Sequence, residues 1–275
     1  MDLWVIAALL ALGLVSSVFG SIVGLGGGVI IVPTLLLAGP WLTGAPIASP
    51  TAVGTSLAVL IFTALSSTVA YAKQGKVDWR SGWLFFIGSG PAAMAGAQWT
   101  NALPEGPFQL AFGVFMLVMF ALMTARDRMR PLQIRWPIRR EFRDGAGQTH
   151  VYGYSVGSAL PIGIAVGLVS GLFGIGGGSL FVPLMVLLYR FPPHVATATS
   201  MFVILLSSLL GSGVNLLNGN IDGWLLLALA PGAVIGGRLG AWIAARLTGK
   251  QLMWLLRFTL LLMAGYLIAR GIRML

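Results

Sequence analysis

Two short stretches hold most of the residues whose type and spacing could do chemistry. Gly24, Gly26, Gly27 and Gly28 are followed by Pro33, and the same pattern returns as Gly174, Gly176, Gly177, Gly178 and Pro183. Consecutive glycines disfavour a helix by roughly 1 kcal/mol each, and the proline removes a further backbone hydrogen bond. A helix should break at both places. Amides freed at such a break, with the positive end of a helix dipole behind them, make a seat for an anion when they face a protein-lined cavity. The plainer reading is close packing of apolar helices through small residues.

Hydroxyls stand in or beside both stretches: Ser21, Thr55, Ser56, Ser179, Thr199 and Ser200. A single Ser or Thr in a membrane helix usually bonds its own preceding turn, so the repetition of Thr-Ser at equivalent positions is what recommends Thr55, Ser56, Thr199 and Ser200. Gln98 and Arg238 are also equivalent, each on a small-residue segment. That placement suggests a face turned to the interior, where Arg238 would balance a negative substrate, although snorkelling to the interface suits Arg238 equally well. Tyr71 and Asn215 are a further equivalent pair, placed either on the path or at the interface. The expected substrate-binding set is therefore Gly26, Gly27, Gly28, Thr55, Ser56, Gln98, Gly176, Gly177, Gly178, Ser179, Thr199, Ser200 and Arg238. Gly24, Pro33, Gly174 and Pro183 complete the helix breaks.

Absent chemistry narrows the reading further. Asp78 and Asp222 each precede an apolar run and read as N-caps, while Asp2, Glu105, Asp127, Glu141 and Asp144 fall at ends or in loops. With no carboxylate inside an apolar run, a cation site has no evident material, and the substrate tilts toward an anion or a neutral solute. The chain has no Cys, and its two histidines, His150 and His194, read as isolated, so no metal site and no cofactor are expected. Val29 stands where G-x-G-x-x-G needs its last glycine, and neither Gly75-Lys76 nor Gly249-Lys250 is followed by Ser or Thr. The chain reads as no enzyme.

The elements that must position these residues are membrane spans. Of 275 residues 57% are hydrophobic and only 9% charged, against about 25% charged in soluble domains. Apolar segments fall near 3–23, 28–44, 51–72, 82–102, 108–125, 152–173, 178–190, 195–217, 224–246 and 251–269. The second and seventh are short and carry Pro33 and Pro183, so eight to ten segments span. The first Lys or Arg is Lys73, so the N-terminal run reads as a span and not as a secretory signal. The net charge of +10 sits between apolar runs, which fits cytoplasmic loops facing an anionic leaflet and not nucleic acid.

A basic stretch, 126–150, carries Arg126, Arg128, Arg130, Arg135, Arg139, Arg140 and Arg143 and reads as a cytoplasmic linker between two transmembrane halves, 1–125 and 151–275. The halves repeat. GLGGGVIIVP is matched by GIGGGSLFVP, Thr55-Ser56 by Thr199-Ser200, QGKVDW by NGNIDG, and GPAAMAGAQ by APGAVIGGR, all in the same order. Equivalent loops differ in charge: Lys73, Lys76 and Arg80 mark one loop of the first half, whereas Arg246 and Lys250 mark the next loop along in the second. Equivalent loops then lie on opposite membrane sides, as two inverted repeats of five segments require. The fold class expected is an all-α polytopic membrane protein with Gly/Pro-broken helices.

The duplicated G-x-G-G-G-x-x-x-V-P, with the Thr-Ser that follows each copy and the small-residue segments after Pro91 and Pro231, resembles the TauE/SafE sulfite exporter family over nearly the whole chain. The resemblance implies a bacterial inner-membrane carrier of small sulfur-containing anions, such as sulfite, sulfoacetate or other organosulfonates, moved usually outward; the inverted repeats themselves predict alternating access by relative motion of the halves. Competing readings are a channel for an anion or small solute, a carrier of a different small organic anion, and a non-transporting membrane scaffold. The partners expected are the small anion and the lipid bilayer; the coupling ion and assembly into a homo-oligomer stay open at this level.

Overall fold

The computed structural model describes residues 3–126, 134, 136–244, 246 and 250–274. Asp2, Asp127, Arg128, Arg130 and Arg135 lie outside this range, as do the side chains of Arg126, Ser179 and Lys250. In the first half, α1 (Leu3–Val23), α2 (Gly28–Thr43), α3 (Ser49–Lys73), α4 (Trp79–Ala102) and α5 (Glu105–Arg126) follow one another. A hairpin of β1 (Ile138–Arg143) and β2 (Thr149–Tyr154) intervenes. The second half repeats the series as α6 (Val156–Phe173), α7 (Gly178–Leu187), α8 (Pro193–Leu217), α9 (Gly223–Ala244) and α10 (Lys250–Arg273).

The 25-residue α3 and α8 would each be about 38 Å long, more than the roughly 30 Å of hydrocarbon they must cross. Among the described residues six helices, α1, α3, α5, α6, α8 and α9, are long and apolar enough to span. α4 and α10 match them in length at 24 residues each. The two short helices are α2 and α7, with 16 and 10 residues, the ones whose segments contain Pro33 and Pro183.

α3 and α8 form the centre of the bundle: 72% and 56% of their apolar stretches are buried, against 39% for α1, α5 and α6. Around them the halves exchange partners, α1 lying along α9 and α6 along α4, while α5 pairs with α10. Glycine makes the close approaches possible. A Cβ on Gly13 would sit 2.3 Å from the Leu229 carbonyl, and one on Gly171 would sit 2.0 Å from that of Ala93. Without a hydrophobic drive between helices in lipid, such small-residue faces are what allow backbones to pack.

The relative direction of α3 and α8 follows from two hydrogen bonds. The amide of Asp78, just past the end of α3, donates to Thr199 near the start of α8 (3.1 Å). The amide of Asp222, just past the end of α8, donates to Thr55 near the start of α3 (3.0 Å). Equivalent helices therefore run antiparallel, and the halves are inverted. One end of the molecule gathers Lys73, Lys76, the hairpin and the start of α8; the other gathers Glu105, Asn220 and Met274.

The stretch between the halves departs from the expected all-helical plan. β1 and β2 pair antiparallel with Arg140 opposite Tyr152 and Phe142 opposite His150, and β2 runs to Tyr154, four residues past the expected linker boundary at 150. Residues 151–154 are strand, whereas the sequence pattern predicts a helical segment over 152–173. Alternation explains it: His150, Tyr152 and Tyr154 face one side, and the two tyrosines are buried with Phe85, Phe181, Tyr189 and Phe191 in a compact aromatic cluster. Tyr152 and Phe191 ring centroids are 3.9 Å apart.

Candidate functional site

The helices do break at the duplicated glycines. Gly24, Gly26 and Gly27 have φ of 79°, 82° and 98°, and Gly174, Gly176 and Gly177 have φ of 68°, 75° and 70°. This left-handed region is open to glycine at little steric cost, so each cluster turns the chain and starts a new helix. α2 begins after Gly27 and α7 after Gly177, neither with a side-chain cap. In α2 the first intrahelical bonds are donated by Ile30 and Ile31 to the Gly27 carbonyl, so the amides ahead of them are the ones a helix start leaves without intrahelical partners.

Both breaks lie at mid-depth and touch. A Cβ on either Gly26 or Gly176 would meet Leu60 and Ile204, the middle residues of α3 and α8. The Gly174 carbonyl stands over Gly28, 2.2 Å from where a Cβ would be, and the Gly24 carbonyl stands over Gly178 at 2.0 Å. All of Gly24 to Gly28 and Gly174 to Gly178 are buried, so neither break is open to solvent in this conformation.

The Thr-Ser pairs hold this joint. Ser56 Oγ donates to the Gly174 carbonyl (2.8 Å), and Ser200 Oγ lies 3.1 Å from the Gly24 carbonyl and 2.8 Å from that of Thr197 in its own helix. Thr55 and Thr199 accept the aspartate amides already described. Their spacing predicts four hydroxyls offered to a cavity; here they engage protein groups of the opposite half, fastening each break and each α-helix start across the inversion axis.

Gln98 and Arg238, expected to face the interior, both lie on exposed helix faces. The physical reason is the small-residue packing itself: Gly236, Gly237 and Gly240 press against α1 and α3, leaving Arg238 on the outer face of α9. Gln98 accepts a hydrogen bond from Asn218 (2.9 Å) at the end opposite the hairpin. Tyr71 and Asn215 are buried and not interfacial; Tyr71 donates to the Ser21 carbonyl (2.8 Å) and Asn215 to that of Gly211 (3.0 Å).

One residue at the breaks escapes the sequence reading. Ser170 is 1% exposed, its Oγ has no hydrogen-bond partner, and it lies 3.4 Å from where a Cβ on Gly177 would be. Its repeat equivalent is Gly20, so a polar-for-small difference between the copies is the signal that marks it.

The aspartates are N-caps as expected, but unequal ones. Asp222 Oδ1 accepts from the amides of Trp224 (2.9 Å) and Leu225 (3.0 Å). Asp78 lies within reach of the Ser81 amide (3.5 Å) and is also 1% exposed, taking two bonds from Arg140 of β1 (3.0 and 3.2 Å), one from Ser81 Oγ (2.5 Å) and one from Tyr152 (2.6 Å). Burial alone would raise its pKa, but these donors and the Arg140 charge hold it below the ordinary 3.8. Nor are the histidines isolated: the hairpin brings His150 within 5.1 Å of His194, ring to ring, with Asp144 between them.

Two inverted five-helix halves whose broken helices meet at mid-depth define a polytopic membrane protein on the inverted-repeat plan of secondary transporters. The family described as Sulfite exporter TauE/SafE matches residues 9–267. The chain belongs to that family, and it is a membrane transporter. It is 44% identical over 266 residues to the "Probable membrane transporter protein YunE" of Bacillus subtilis, covering 96% of this chain and 97% of the relative. The "Probable membrane transporter protein MJ0441" of Methanocaldococcus jannaschii is 25% identical over 255 residues, 89% of this chain and 88% of its own length. A "Probable membrane transporter protein" of Xylella fastidiosa (strain Temecula1) is 28% identical over 227 residues, 82% and 80% of the two chains. No solved structure matches the chain.

Proposed function

We propose that this transporter is a secondary carrier exporting small sulfur-containing anions, sulfite or small organosulfonates such as sulfoacetate, across the bacterial inner membrane by alternating access. The observation that carries the reading is the pair of uncapped helix starts meeting at mid-depth, Gly27 to Val29 and Gly177 to Ser179, whose dipoles and first-turn amides favour negative charge, although the Gly178 amide here bonds the Gly176 carbonyl (2.8 Å). The unpartnered Ser170 hydroxyl adds a donor at the second start. In the closed conformation the Gly24 and Gly174 carbonyls cover these starts. Parting of the halves withdraws the carbonyls, and an anion of a few heavy atoms takes their place. Lys73, Lys76, Arg139, Arg140, Arg143 and Arg246 crowd the hairpin end, which supports a cytoplasmic hairpin.

Purified protein in liposomes, tested with sulfite, sulfoacetate and chloride, checks the reading. Saturable sulfite or sulfoacetate flux, accelerated by the same anion on the far side, is the expected result. Flux indifferent to counter-substrate would make the protein a channel, and transport of carboxylates alone would move the substrate class. Ser170→Ala should lower anion flux about tenfold while leaving thermal stability unchanged or raised, because it removes an unsatisfied buried hydroxyl.

A further inference from the structure

We propose that Asp144, His150 and His194 form a binding site for a zinc-type transition-metal ion, seated between the hairpin and the first turn of α8. His150 Nε2 lies 2.9 Å and His194 Nε2 3.6 Å from the same oxygen, Asp144 Oδ2, and all three ligand atoms fall within 4.8 Å of one another. Around a tetrahedral ion with bonds of about 2.0–2.1 Å, ligand atoms stand roughly 3.3 Å apart. The two contacts to Oδ2 bracket that spacing, and a small rotation of one ring closes the third side.

The carboxylate is held in place before any ion arrives. Asp144 Oδ1 accepts the amides of Ala146 (3.0 Å) and Gln148 (2.9 Å), the hydrogen bonds of the hairpin turn, which leaves Oδ2 turned toward both rings. Such an outer bond fixes a ligand's orientation and recurs at built metal centres. The Asp144 side chain is 6% exposed, that of His150 17% and that of His194 39%, so the site is shielded on the protein side and reachable on the other. Two imidazoles and one carboxylate suit zinc, cobalt or nickel and leave a coordination position for water; they do not suit magnesium or calcium, which take oxygen ligands. Lys76, on the loop after α3, is the opposing positive charge close enough to act on both Asp144 and His194, and it limits affinity.

The position gives the ion a structural consequence. Asp144 and His150 belong to the segment joining the halves, and His194 opens the central helix that carries Thr199 and Ser200. A bound ion would tie the two together.

The test exploits composition, since His150 and His194 are the chain's only histidines and it has no Cys. Protein purified without a histidine tag is titrated with zinc and cobalt chloride, with magnesium as control. One zinc per chain, a raised Tm, and the visible absorption of tetrahedral cobalt are expected, with affinity falling about tenfold or more in His194→Ala and in His150→Gln. Equal zinc binding by the wild type and the double variant, or no binding and no cobalt absorption in the wild type, overturns the proposal. The cobalt spectrum decides the matter if a variant is merely less stable.

Discussion

The two aspartates Asp78 and Asp222 occupy equivalent places in the inverted halves, cap the equivalent helices α4 and α9 and give their amides to the equivalent threonines Thr199 and Thr55 of the opposite half, yet they end in different surroundings. Asp78 sits beneath the hairpin, fully paired to Arg140 and Tyr152 within the aromatic cluster. Asp222 stands at the other end near exposed Asn218, Asn101 and Gln98 and half-buried Asn220, where Asn218 bonds Gln98 and Asn220 bonds Asn101 in place of a charge pair. A repeat thus fixes the joint at mid-depth in both copies, while a segment present once adds a buried ion pair at one end, and the other is held by amide pairs and the bonds of Ser49 to Glu105. On the alternating-access reading proposed above, the two openings would have unequal costs if each parts the contacts at its own end: a buried ion pair at the hairpin end, and amide bonds at the other.

The largest effect tests what the halves share. Gly28→Ala and Gly178→Ala each drive a methyl into a backbone carbonyl at 2.2 and 2.0 Å, and each should lower stability by about 3 kcal/mol and abolish transport, read by thermal unfolding in detergent and by liposome flux. A severe loss in one variant with a mild loss in the other would break the equivalence of the two joints. Next comes what the halves do not share. Asp78→Asn removes the buried charge opposite a partly buried Arg140 and should cost about 2 kcal/mol, whereas Asp222→Asn keeps a good cap and should stay within about 0.5 kcal/mol. The smallest effect is pH-dependent. Because the folded pKa of Asp78 is depressed, its contribution is full above 3.8 and fades as pH falls through the lower folded value. The Tm gap between wild type and Asp78→Asn should hold from about pH 8 to about pH 5 and close at more acid pH.

Much of this was legible in the residues. Glycine clusters followed by proline dictate a backbone that helices refuse, so both breaks and the ends of most helices could be read within a few positions. The inversion was legible because charge on loops reports the side of the membrane. Three features were not. The hairpin hid behind its arginines, although His150, Tyr152 and Tyr154 alternate with Val151 and Gly153 and follow a Gly145-to-Gly147 turn, a period-two signal masked by net charge. Arg238 and Gln98 were turned inward by their equivalence alone, when the glycines at 236, 237 and 240 already claimed the packed face. The Asp144, His150 and His194 cluster depends on pairing that brings residues 44 apart in sequence, His150 and His194, to one place, which no local pattern encodes.

The exchange of partners between halves bears on how the protein is made. The Ser21 hydroxyl of α1 bonds the Gly237 carbonyl of α9, 216 residues further along, and Ser67 and Tyr71 close the same polar knot. During synthesis α1 therefore enters the bilayer long before α9 exists, with Ser21 still lacking its Gly237 acceptor, while Ser16 bonds its own turn and Ser17 needs only Thr63 of α3. The N-terminal five helices have no finished interior of their own, so maturation waits for the last third of the chain. A nascent protein stalled after the hairpin would leave the α1 face that packs on Gly232, Gly236, Gly237 and Gly240 uncovered.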